Sequence, residues 1–154
     1  MSLSSLMTDD HRACDHVFAR LETLVAKGDW PAAATAMSAF AAALNAHFLA
    51  EEEHLFPAFE AATGMHGGPT AVMRAEHAEM RTFLDSMQAA IDARDGDDFA
   101  GEAETLMIMI QQHNMKEENM LYPMCDARLA DRSGELAGTL DTALHARTAP
   151  GAMA

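Results

Sequence analysis

Residues 47–57 read HFLAEEEHLFP, and residues 113–123 read HNMKEENMLYP. Both obey one pattern, H-x-x-x-E-E-x-x-L-aromatic-P, at an offset of 66 residues (47 to 113). His11 and His77 keep that offset, as do Glu51 and Glu117, and Pro57 and Pro123. A fixed internal period marks a duplicated structural unit. The chain therefore reads as two copies of one helix pair, and a pseudo-two-fold packing of the copies is the natural expectation.

Outward from these strings the apolar residues keep a helical period. His11, Cys14, Phe18, Leu21 and Val25 are spaced alternately by three and four, and so are Met73, His77, Met80, Leu84, Met87 and Ile91. The stripe through the first string runs Met37, Phe40, Leu44, His47, Glu51, His54 and Ala58. The stripe through the second runs Ala103, Leu106, Ile110, His113, Glu117, Met120 and Met124. This spacing is the buried seam of an antiparallel bundle. Nothing alternates with the period of two that a strand needs.

Turn residues fall between the stripes, at Gly28-Asp29, Gly64 to Gly68 and Asp95-Gly96-Asp97. Pro69 suits a first helical turn, Gly96 a C-cap and Asp97 an N-cap. Helices are predicted over about 8–27, 30–62, 69–94 and 97–128. The fold class is all-α, an up-down-up-down antiparallel four-helix bundle over residues 1–130. Residues 131–154 form a C-terminal extension, with a short helix near 132–145 and a loose, partly disordered tail.

Composition narrows the function. The 154 residues are 49% hydrophobic and 22% charged, the balance of a globular domain. Acidic residues outnumber basic ones 24 to 10, for a net charge of −14. That charge argues against nucleic acid and against anionic membrane surfaces as partners, and favours cations. No unbroken run of 18 apolar residues is present, so no membrane-spanning helix is expected. The start, MSLSSLMTDDH, lacks the basic and apolar regions of a secretory signal, and two cysteines make no disulfide framework. A cytoplasmic location is the expectation.

Six polar residues sit on the apolar seams: His11, His47, Glu51, His77, His113 and Glu117. A buried, unpaired carboxylate is heavily penalised, so the six need a common reason. Counted from the shared turns, His11 and His47 lie at one height, and so do His77 and His113. Glu51 and Glu117 each follow a histidine by four residues, one turn on along the same face. Four imidazoles and two carboxylates at one level make a mixed nitrogen and oxygen site for two metal ions. A carboxylate can put one oxygen on each of two cations. Such donors suit iron, zinc, copper or manganese and leave positions open for a small ligand. The ferritin-like arrangement fits less well, because Glu51-x-x-His54 occurs once and Met120 stands where a second histidine is needed.

With these residues in place, the chain resembles the hemerythrin-like proteins of the HHE cation-binding family, over about residues 8–128. The resemblance rests on His11, on His47-x-x-x-Glu51-Glu52 leading to Leu55-Phe56-Pro57, on His77, and on His113-x-x-x-Glu117-Glu118 leading to Leu121-Tyr122-Pro123. It implies a non-haem centre of two iron ions bridged by oxide or hydroxide. In it the four histidines would be terminal ligands and Glu51 and Glu117 bridges. Manganese or zinc are the other metals to test. The oxygen-carrying members use a fifth histidine on the third helix, where this chain has Met73 and Arg81, and a final aspartate where it has Glu118. The set is similar to that of proteins linked to nitric-oxide stress, iron–sulfur cluster repair and iron sensing.

The resemblance thus implies an open site that binds or reacts with oxygen, nitric oxide or peroxide, in sensing, stress response or detoxification. A module that stores, senses or donates iron is the alternative, and a structural-zinc or metal-free bundle a weaker one. The sequence names no protein partner. His54, Cys14, Tyr122 and Glu118 are the candidates for a supporting layer behind the ligands.

Overall fold

The computed structural model describes residues 2–146; the tail expected to be loose lies, from residue 147 on, outside the described residues. Helix α1 spans Leu3–Ala26, and α2 spans Trp30–Ala50. A π-helical turn over Glu51–Leu55 carries the chain into α3, Phe56–Thr63. Helix α4 spans Pro69–Asp92 and α5 spans Gly96–Lys116. A second π turn, Glu117–Leu121, leads into α6, Tyr122–Arg128, and a 3₁₀ turn over Ala130–Arg132 precedes α7, Ser133–His145. The architecture is the expected all-helical bundle of two hairpins, and no strand occurs among the described residues.

Local chemistry sets the helix ends. Helix α1 begins five residues earlier than predicted because Ser2 and Ser5 form a reciprocal capping box. Asp126 also accepts hydrogen bonds from the Leu3 and Ser4 amides, at 2.8 and 3.3 Å. The early turn brings Leu3, Leu6 and Met7 into the core. The turn before α5 differs from expectation too. Asp95, not Asp97, is the N-cap, accepting from the Asp98 amide at 3.0 Å, and Gly96 is helical rather than a C-cap. Arg94 takes the left-handed conformation, with φ 55°, where the matching residue of the first hairpin is Gly28, with φ 72°.

The two π turns answer a problem set by Pro57 and Pro123. A proline inside a helix lacks its amide donor, and its ring presses on the carbonyl four residues back. Ahead of each proline the backbone widens instead. The Phe56 amide bonds the Glu51 carbonyl, and the Tyr122 amide bonds the Glu117 carbonyl, five residues back in both cases. The extra residue rotates the buried face of everything downstream. Leu55, Phe56 and Phe59 are buried while His54 is only half-buried. Leu121, Tyr122 and Cys125 are buried while Met120 is 64% exposed and Met124 half-buried. The expected stripe positions of His54, Met120 and Met124 are therefore corrected by one residue, and Ala58 alone of the four stays inside.

Two apolar clusters fill the bundle. One joins Phe18, Leu21, Phe40, Leu44, Phe48, Met80, Leu84, Met87, Leu106 and Ile110, on the side of the hairpin turns. The other joins Leu3, Leu6, Phe56, Phe59, Tyr122 and Cys125 to Leu136, Leu140 and Leu144 of α7. Each leucine, isoleucine, methionine or phenylalanine among them contributes about 1.5–3 kcal/mol when fully buried. The polar residues of the seams lie between the clusters. The segment Trp30–Thr63 has the length and mean hydropathy, 1.3, to cross a membrane. In the bundle its apolar residues Phe40, Leu44 and Phe48 are core, and the same face carries buried His47 and Glu51.

Candidate metal centre

The equal-depth reading of the sequence holds in three dimensions. The rings of His11 and His47 are 4.5 Å apart, and those of His77 and His113 are 4.9 Å apart. All four are buried, and Glu51 and Glu117 are fully so. Each carboxylate divides its oxygens between the hairpins. Glu51 turns Oε2 to His47 Nε2 at 3.7 Å and Oε1 to His77 Nε2 at 3.1 Å. Glu117 turns Oε1 to His11 Nε2 at 3.1 Å and Oε2 to His113 Nε2 at 3.4 Å. Two groups of donors could each hold a metal ion: Glu51, His77, His113 and Glu117, and His11, His47 and Glu117, with the donor atoms of each group within 4.8 Å of one another.

Every imidazole is held from behind. His11 Nδ1 donates to Glu118 at 2.6 Å, His47 Nδ1 to Asp10 at 2.8 Å, His77 Nδ1 to Glu52 at 2.7 Å and His113 Nδ1 to Glu76 at 2.8 Å. A carboxylate on Nδ1 fixes the ring and turns the Nε2 lone pair of the neutral tautomer inward. Glu118 was singled out from sequence as a supporting residue and Glu52 stood out with it in the repeated motif; Asp10 and Glu76 were not singled out. Their signal was present, because Asp10-His11 and Glu76-His77 repeat an acid–histidine pair, and Glu52 and Glu118 follow the seam glutamates, all at the same offset.

The centre calls for positive charge. Among the described residues, Glu51 Oε1, His77 Nε2, His113 Nε2 and Glu117 Oε2 are the buried side-chain atoms with no hydrogen bond. These atoms belong to the four-residue group, and their short separations lack the alignment of a hydrogen bond. Lone pairs facing one another at such distances need a cation between them. Proton affinities point the same way. Burial opposes charge on His47, but Glu51 and the Asp10 hydrogen bond outweigh it and hold the imidazole well above its usual value. His113 is raised likewise, by Glu117, Glu51 and Glu76 against burial. Burial would raise Glu51, yet His47 and His77 carry it well below the usual carboxylate range.

The remaining candidates fall in different places. Tyr122 is fully buried within the centre, and burial together with the charges of Glu117 and Glu51 pushes its phenol well above the ordinary value. Cys14 is buried one turn from His11, with its Sγ 3.9 Å from Asp10 Oδ2. It lines a cavity of about 10 Å³ that also touches His11, His47, Phe40, Leu44 and Asn114. The π turn takes His54 away from the centre, to a surface groove with Glu53, Arg132 and Glu135.

Comparison with known proteins gives one family. The model described as hemerythrin HHE cation binding domain matches residues 2–125. Nothing matches among the curated proteins or the solved structures.

Proposed function

The chain belongs to the hemerythrin HHE cation-binding family, and from that premise we propose that its six converging side chains hold two iron ions. His11 and His47 would hold one ion and His77 and His113 the other, with Glu51 and Glu117 placed to serve both. The observation that carries this reading is the division of each buried carboxylate between two histidine pairs. When bound, the ions supply the redox chemistry by which the centre binds or reacts with a small ligand such as oxygen, nitric oxide or peroxide.

The chain's own residues define what reaches them. Asp10, Glu52, Glu76 and Glu118 hold the imidazoles at fixed tautomer and angle. Phe40, Leu44, Phe48 and Ile110 keep bulk water out. A cavity of about 10 Å³ beside His11 and His47 is at the lower limit for a single water, which supports a ligand of very few atoms over any larger substrate.

The test has two stages. Elemental analysis of protein purified without added metal or a histidine tag should give about two irons per chain, the stoichiometry of a doubly bridged pair. The reduced, loaded protein should then change its optical absorbance on titration with oxygen, nitric oxide or peroxide. An unchanged spectrum with all three would overturn the reactive reading. Iron that passes within minutes to a mild chelator and to an apo-acceptor would favour storage or donation instead.

A further inference from the structure

The offset that pairs Glu51 with Glu117 pairs Phe56 with Tyr122. Phe56 offers no donor atom and lies with its ring 5.7 Å from that of His77. Tyr122 instead sends its Oη into the centre. That oxygen is 2.6 Å from Glu51 Oε2, 2.9 Å from Glu117 Oε1, 3.2 Å from His11 Nε2 and 3.3 Å from His47 Nε2. These are the inward donor atoms of one half of the centre.

As a hydrogen-bonding group the phenol is overcommitted. It has one proton, for which Glu51 Oε2 and Glu117 Oε1 compete, and the two imidazole nitrogens are acceptors as well wherever the histidines are neutral and donate through Nδ1. As a donor to a cation it is well placed. Metal bonds of about 2.0–2.2 Å put neighbouring donors about 3 Å apart, the spacing found here. We propose that Tyr122, through its phenol oxygen, is a further ligand of the ion held by His11 and His47. The proposal rests on the two-iron reading of the same centre. Coordination displaces the phenol proton to solvent, as metal binding does for other protonated donors.

The two ions are then unlike. One is met by a phenolate, and the other is faced by the Phe56 ring. The cavity adds a direction to the difference. Cys14, Leu44 and Ile110 line it on the hairpin-turn side of the histidines, whereas Tyr122 follows Glu117 on the other side. The cavity and the phenol thus lie on opposite sides of the His11 and His47 pair.

The test compares the iron-loaded wild type with Tyr122→Phe, a change whose ring the matching position already accommodates. In the oxidised state, resonance Raman excitation in the visible phenolate-to-iron band should enhance tyrosine ring vibrations in the wild type. The band and the vibrations should be lost in Tyr122→Phe, with iron content retained. A wild type with two irons per chain and no phenolate vibrations overturns this proposal while leaving the two-iron reading intact. A wild type that takes up no iron overturns both. Should the variant fold poorly, the wild-type Raman spectrum decides the matter alone.

Discussion

Around His77 the rings of Phe48 and Phe56 stack at 4.0 and 5.7 Å; around His11 the matching positions are Asn114 and Tyr122. The outer carboxylates differ in the same sense. Glu52 behind His77 is gripped by the two terminal Arg81 nitrogens, each at 2.9 Å, and Glu76 behind His113 is paired with Lys116. The residues that match Arg81 and Lys116 in the first repeat are Asp15 and Ala50, which bring no cation. One half of the centre is packed with aromatic rings and braced by positive charge. The other has a cavity and a phenol, and no arginine or lysine at the two matching positions. A duplicated centre cannot exchange its donors without losing what they hold, but it can exchange their neighbours, and here the neighbours separate a scaffold side from an open side.

Removing the scaffold should have the largest effect. Phe48→Asn replaces a ring that is 2% exposed with the residue found opposite it. Loss of a buried phenylalanine costs about 3–5 kcal/mol, so thermal unfolding should move sharply downward. A variant as stable as wild type would mean that the ring is not a support for His77. The reverse exchange, Asn114→Phe, should place a ring beside His11 and fill the cavity. Overpacking costs about 1–3 kcal/mol, and a small ligand that must displace the ring to enter should meet the same cost, a weakening of about 5- to 150-fold. Metal content should stay unchanged. Undiminished ligand response would show that the cavity is not the route.

The brace comes next. Burial raises the Glu52 carboxyl, but Arg81 and His77 more than reverse this and hold it below its ordinary value. Arg81→Met keeps much of the side-chain length over the Phe48 ring and removes the charge. Loss of a supporting group behind a ligating histidine typically costs about 10- to 100-fold in metal affinity. Competition with a chelator should therefore show one weakened ion and one unchanged. Equal weakening of both would mean that the halves are not independent.

The sequence carried the centre further than it carried the helices around it. Six polar residues on apolar seams could be found because burial makes them conspicuous, and their common depth follows from counting along straight helices. The π turns broke that counting. Their cause, a proline six residues after a glutamate, is visible in the sequence, but a proline in a helix can also be met by a kink or a stop, and periodicity does not choose among these. His54, Met120 and Met124 were misplaced for this one reason, and the inward place of Tyr122 has the same cause. With a π turn, the residue five after Glu117 returns to its face. Asp10 and Glu76 escaped notice because an acidic residue next to a seam reads as a solvated helix face until the opposing helix is in position.

The smallest expected effect tests whether the missing brace matters. Asp15→Arg puts at position 15 the residue that its match, Arg81, already has, within reach of the field of Glu118. At present burial raises the Asp15 carboxyl, with His11 lowering it and Glu118 raising it further, so like charges meet where the other half has an ion pair. The Glu118 side chain is 35% exposed, and a solvent-screened pair of this kind is worth about 0.2–1 kcal/mol. Affinity for the ion at His11 and His47 should thus rise no more than about fivefold. The gain should shrink as salt is raised from about 0.01 to 1 M, because screening shortens the reach of exposed charges. If the gain is absent even at low salt, charge is not what distinguishes the two halves, and the effect of Arg81 must come from its packing over Phe48.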